Sequence, residues 1–207
     1  MTIGVGGPRS ALQPLPQARN ATVSLEQLAP WIIRFAEQYR VRPELIAAIV
    51  RQESSFINHG VHRDGTGHGL VGLDDNGLLP DFERWAGVRV GRGRAANTIA
   101  PEKQIEFLAK TLADFTARLN GDDWAAVRAW HAGFNGRDRS NGVEYESLIR
   151  GHVAAVQPAL APTTGGAAPD DGGAALASSY EARSREPVRL DVGPGAPLSK
   201  SLDYGES

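Results

Sequence analysis

Residues 43–56 read PELIAAIVRQESSF, and the reading of this stretch decides the fold. Pro43 fits the first position of a helix, where its missing N–H is no loss. Leu45, Ile46, Ile49 and Val50 follow at the spacing of one helix face. The apolar run then closes on a lone carboxylate, Glu53, and two serines. In a last helical turn an acid sits at the negative end of the helix dipole, where Lys or Arg would serve structure better. Two readings stand: a solvated helix end, or an acid set up for chemistry. Apolar neighbours and the dipole would both keep a proton on Glu53. A carboxylic acid still protonated near neutral pH is what glycosidic cleavage asks of its proton donor.

Helical periodicity extends in both directions from this segment. Ser24 and Gln27 fit a capping box, and Leu28, Ile32 and Phe35 follow at helical spacing. Pro101 opens another helix with a stripe of Ile105, Leu108, Leu112, Phe115 and Leu119, and Asn120-Gly121 ends it. Further helices are expected over Asp123 to Trp130 and near Val143 to Val156, the latter with Leu148 and Ile149 inward. Between the second and third of these helices, residues 56–100 form a long glycine-rich region, either functional or holding short strands. The fold class is mainly α, a multi-helix domain over residues 24–157. Residues 1–23 read as a flexible arm. Residues 158–207 are rich in Gly, Pro and Ala and have too few large apolar side chains to offset their ordering entropy. They read as a disordered tail with a short docking element around Tyr180 to Leu190.

Composition narrows the function classes. Hydrophobic residues make up 41% of the chain, enough for a core. A formal net charge of −2 argues against a dedicated nucleic-acid binder. Without cysteine there are neither disulfides nor thiolate metal sites. No run approaches the roughly 20 apolar residues of a membrane span, and the opening residues do not resemble a signal peptide.

The segment GTGHGLVGLDD, residues 65–75, places three glycines in its first five positions, so backbone can approach a ligand closely. Asp64 and Asp74 flank it, each a candidate second carboxylate or an ordinary turn former. His59, His62, Asp64 and His68 cluster nearby but match no metal-ligand pattern, so no metal or cofactor is expected. His68 is placed in contact with substrate. The basic cluster Arg84, Arg89, Arg92 and Arg94 is either an anion contact or a solvated loop. Trp85 and Trp124 are assigned to the core ahead of sugar stacking.

Four segments then occur in a telling order: PELIAAIVRQESSF, GTGHGLVGLD (65–74), PEKQIEFLAKTL (101–112) and AVRAWHAGFNG (126–136). Together, over about residues 30–156, they resemble the soluble lytic transglycosylase domain and goose-type lysozyme of the lysozyme-like superfamily. The resemblance implies a lysozyme-like fold that cleaves the MurNAc-β-1,4-GlcNAc bond of peptidoglycan. It makes Glu53 the catalytic acid and Ser54 its neighbour. Gly69 and Leu70 become groove backbone, Asp74 and Asp64 the loop aspartates, and Trp130 and His131 the substrate-facing helix end. Gly72 stands where these families carry a sugar-contacting Gln, and Trp130 where they carry Tyr. Two outcomes remain open: hydrolysis, with Asp64 or Asp74 activating water, and transglycosylation, in which the 6-hydroxyl of muramic acid closes an anhydro ring. An inactive module that binds peptidoglycan or builds part of a virion or secretion machine is the alternative. The expected partner is the peptidoglycan glycan strand, and the expected place of action is the bacterial envelope. The tail and the missing signal suggest a phage-encoded, virion-associated or lysis protein, or one exported by a non-standard route, with a virion or export partner for the tail.

Overall fold

A computed structural model of the chain describes residues 12–161. The order is β1 (Ala21–Thr22), α1 (Leu25–Tyr39), α2 (Pro43–Ser54), β2 (Ile57–Asn58), α3 (Leu79–Ala86), a 3₁₀ turn (Gly93–Ala95), α4 (Pro101–Arg118), α5 (Asp123–Ala132) and α6 (Ser140–Leu160). The mainly helical expectation holds.

The capping box at α1 is present in both directions. Gln27 N–H donates to Ser24 Oγ at 3.3 Å, and Ser24 N–H donates to Gln27 Oε1 at 2.9 Å. Leu28, Ile32 and Phe35 face the core as their spacing predicts. In α2, six consecutive residues from Leu45 to Val50 are buried. A helix apolar on every side belongs in the centre of a domain, and α2 is packed by α6, α1 and α4. It surfaces at its two ends, and Glu53 lies at the C-terminal one. Two successive left-handed residues, Ser55 (φ 50°) and Phe56 (φ 65°), then turn the chain sharply into β2. Such conformations are uncommon for non-glycine residues. Phe56 is held there by its carbonyl, which accepts from Val23 N–H at 2.8 Å.

Several boundaries differ from the sequence expectations. Residues 12–23 are not a free arm: Leu15 is buried, its N–H donates to Glu102 Oε1 at 2.8 Å, and Ala21–Thr22 pair antiparallel with Ile57–Asn58. Helix α6 begins earlier and ends later than expected, carrying Pro158 inside it. On α6 Ile149 is buried as expected, whereas Leu148 is 51% exposed. The region 56–100 holds β2 and α3, the latter capped by Gly87 at φ 66°. Trp85 packs on Phe82 and Phe107, and Trp124 lies partly buried beneath the guanidinium groups of Arg42 and Arg150. Residues 162–207, with the expected docking element at Tyr180 to Leu190, lie outside the described residues, as do residues 1–11.

One polar network fixes the glycine-rich loop to the core. Gln104 of α4 is fully buried; its Nε2 donates to Asn58 Oδ1 and to the Ile99 carbonyl, both at 2.9 Å. Its Oε1 accepts Leu70 N–H at 2.5 Å. A side chain at Gly69 (φ 72°) would place Cβ 2.0 Å from that same oxygen. Glycine is needed there because the loop backbone lies directly on a buried amide. Among the described residues no helix is long and apolar enough to cross a membrane.

Candidate active site

Glu53 stands in the last turn of α2 at the head of a groove of about 770 Å³. Ser54, Ile57, His59, His62, Arg63 and Arg94 also line that groove. Because α6 packs along α2, Tyr145 reaches the acid from 92 positions further on: its hydroxyl donates to Glu53 Oε1 at 2.5 Å. Tyr145 is itself buried, and burial together with the neighbouring carboxylate pushes its phenol well up, so it stays a donor. His131, exposed at the end of α5, lies flat on the Tyr145 ring with centroids 4.4 Å apart and planes 3° from parallel. Desolvation of the ring where it lies on Tyr145 lowers the imidazole's proton affinity.

Burial pushes the Glu53 carboxyl up from 4.5 to about 7; the Asp64 charge adds to this and the Tyr145 hydrogen bond opposes it. A carboxylic acid poised near neutrality has the titration a general acid requires. The second Glu53 oxygen rests over Gly72. A Cβ at Gly72, whose φ is 66°, would come within 2.3 Å of Glu53 Oε2. The glycine that replaces the expected Gln is thus the residue against which this carboxylate lies. Gly72→Ala is expected to displace the carboxylate and strain the turn, lowering turnover more than it lowers Tm. Activity assays beside a thermal melt check this.

The two candidate second carboxylates separate clearly. Asp64 Oδ1 accepts from Thr66 N–H at 3.0 Å and Gly67 N–H at 3.1 Å. The Thr66 bond is the chief cause that holds its proton affinity low, so Asp64 is ionised. Its charge is felt at Glu53. Asp74 is a turn residue: its Oδ1 accepts Asn76 N–H at 2.9 Å and its carbonyl accepts Leu79 N–H at 3.1 Å, leading into α3.

The remaining sequence-derived site residues distribute unevenly. Ser54 lines the groove but donates its hydroxyl to the Val50 carbonyl at 3.0 Å, back into its own helix. His68 does not face substrate. It is fully buried, bonded to the Gly60 carbonyl at 2.8 Å and to Asp75 Oδ1 at 2.6 Å, an internal brace of the loop. Gly69 and Leu70 lie beneath the groove in the Gln104 network. Trp130 is 5% exposed and part of the core, so it offers no stacking face to a sugar, whereas its neighbour His131 reaches the acid through Tyr145. Among the described residues no group of three His, Asp or Glu side chains is placed to hold a metal ion. In the basic cluster, Arg84 pairs with Asp81, and Arg92 bridges Glu83 and Asp75; of these arginines Arg94 lines the groove. Tyr145 is the residue that sequence reasoning missed. Its one signal is position on an amphipathic last helix, which does not separate a core tyrosine from a partner of the acid.

A half-buried glutamate at the end of a central helix, its carboxyl raised to about 7, thus lies on a groove in a mainly helical, lysozyme-like domain. Residues 30–152 match the family described as Transglycosylase SLT domain, and the chain belongs to that family. Family membership brings with it, at the general level, a lytic transglycosylase-type role on peptidoglycan and action in the cell envelope.

Proposed function

We propose that the chain cleaves the MurNAc-β-1,4-GlcNAc bond by lytic transglycosylation, with Glu53 as its acid and then its base. The observation that carries this is the Glu53 carboxyl, desolvated at the groove and held at about 7 with Tyr145 on one oxygen. Protonated Glu53 delivers its proton to the glycosidic oxygen as the bond breaks. The resulting carboxylate then accepts the proton of the muramyl 6-hydroxyl, whose oxygen closes on C1 to give the 1,6-anhydro ring. Tyr145 steadies the carboxylate while it is charged, and the proton taken from the 6-hydroxyl returns it to the acid form, which burial favours.

A second outcome is favoured by one observation, the ionised Asp64 whose charge reaches Glu53. If Asp64 stood opposite the acid at roughly 6.5–9.5 Å it would activate water for inverting hydrolysis. Mass spectrometry of digested sacculi separates the two. Anhydro-muramyl ends are the expected result; reducing ends would give the reaction to water and Asp64. Complete absence of soluble fragments would return the chain to a binding or structural module.

A further inference from the structure

The groove has a second chemical character besides its acid. Arg63 and Arg94 both line it, both are exposed, and neither guanidinium makes a hydrogen bond or ion pair among the described residues. His59 and His62 lie on the same surface with ring centroids 5.0 Å apart. The one acid on the lining is Glu53, which takes up a proton near neutrality. Asp64, next in sequence to Arg63, is turned onto the backbone N–H groups of Thr66 and Gly67. The two arginines therefore face the groove without a neutralising partner.

Their placement is built, not incidental. Arg19 packs against Gly60, where a Cβ would come 2.5 Å from its Nε. The same guanidinium donates to the Arg94 carbonyl at 3.2 Å and to the Ala96 carbonyl. One side chain thus ties the turn bearing Arg94 to the loop bearing Arg63. Gly93 (φ 57°) permits the turn that carries Arg94. By contrast, Arg92 pairs with Glu83 and Arg84 with Asp81.

Resting on the glycan-cleaving function above, we infer that Arg63 and Arg94 form a carboxylate-binding subsite, which selects glycan strands bearing anionic substituents over neutral ones. Guanidinium matches carboxylate geometry, and charge-assisted pairs are the stronger class of hydrogen bond. On a muramyl residue the carboxylate is supplied by the lactyl group where no peptide is attached, and by the peptide where the lactyl carboxyl is taken up in its amide bond.

The test is co-sedimentation of the full chain carrying Glu53→Gln, with and without Arg63→Gln and Arg94→Gln. The probes are intact sacculi, amidase-stripped strands that keep the lactyl carboxylate, and neutral chitin. The arginine pair is expected to weaken sacculus binding by about tenfold, the scale of one good charge-assisted contact. The loss should shrink as salt shortens the Debye length from about 10 Å at 0.1 M. Arg→Lys at both positions should recover part of it. A loss on stripped strands as well shows that the subsite also takes the lactyl carboxylate freed by the amidase; a loss confined to sacculi assigns the peptide carboxylates. Equal weakening on chitin, or unchanged binding to sacculi by a variant with native Tm, overturns the subsite. Failure of the native chain to cut strands would overturn the enzymatic reading and leave this binding result standing.

Discussion

Glu53→Gln is expected to lower strand cleavage by about 10²–10⁴-fold, the usual contribution of a positioned acid-base group, and to make the protein more stable above neutrality. Both effects have one cause. In the folded chain burial raises the Glu53 carboxyl from 4.5 to about 7. Below about pH 4.5 the group is protonated in both folded and unfolded chains and contributes no pH-dependent penalty. As pH rises from 4.5 to 7 the unfolded chain releases the proton while the folded chain retains it, and stability falls. Above 7 the penalty is complete, on the order of 3 kcal/mol at most. Glutamine keeps the shape and never ionises, so the variant escapes this penalty. Denaturant midpoints of the two proteins should converge near pH 4 and separate by pH 8. A variant both active and no more stable at pH 8 would contradict the assignment.

Tyr145→Phe is expected to combine a loss of rate with a change in pH dependence. The phenol bond holds the Glu53 carboxyl lower than burial alone would. Its removal sends the carboxyl further up, so the alkaline limb of kcat/KM, set by loss of the acid's proton, moves to higher pH. The maximal rate falls because the carboxylate formed after proton transfer loses its buried donor, a cost of about 1–3 kcal/mol. The His131 ring, stacked on Tyr145, still covers phenylalanine, so a packing defect is not expected to account for the change. An unchanged pH profile would show that Tyr145 serves packing alone.

Much of the helical frame was legible from local rules. Pro43 and Pro101 begin α2 and α4 where their fixed φ favours a first turn, and Ser24 with Gln27 closes both halves of its box. Those signals act within a few residues, which is why they can be read without the fold. The same reasoning placed Glu53 at a helix end next to apolar residues, and its titration follows from the burial of that end.

The rest depends on contacts between distant segments. Tyr145 meets Glu53 only because α6 packs against α2, and nothing in the local pattern of α6 marks one buried tyrosine as a donor. His68 looked like a loop residue free to meet a sugar, but it is paired with Asp75 inside the loop. Gln104 sits within an apolar stripe and has no local signal for its role in holding Leu70 and Asn58. Leu15 belongs to a Pro- and Gln-rich stretch whose composition reads as free chain, and a single hydrogen bond to Glu102 with burial against the core overrides that. Gly72, first read as a lost Gln, becomes intelligible only with the Glu53 oxygen over it.

The most direct measurement is the titration of the Glu53 carboxyl carbon by ¹³C NMR, assigned by its absence in Glu53→Gln. The account predicts a midpoint near 7 that moves upward in Tyr145→Phe. A midpoint near the ordinary 4.5 would mean that the carboxyl is solvated and charged at neutral pH, and the proposal that Glu53 donates a proton to the glycosidic oxygen would fail.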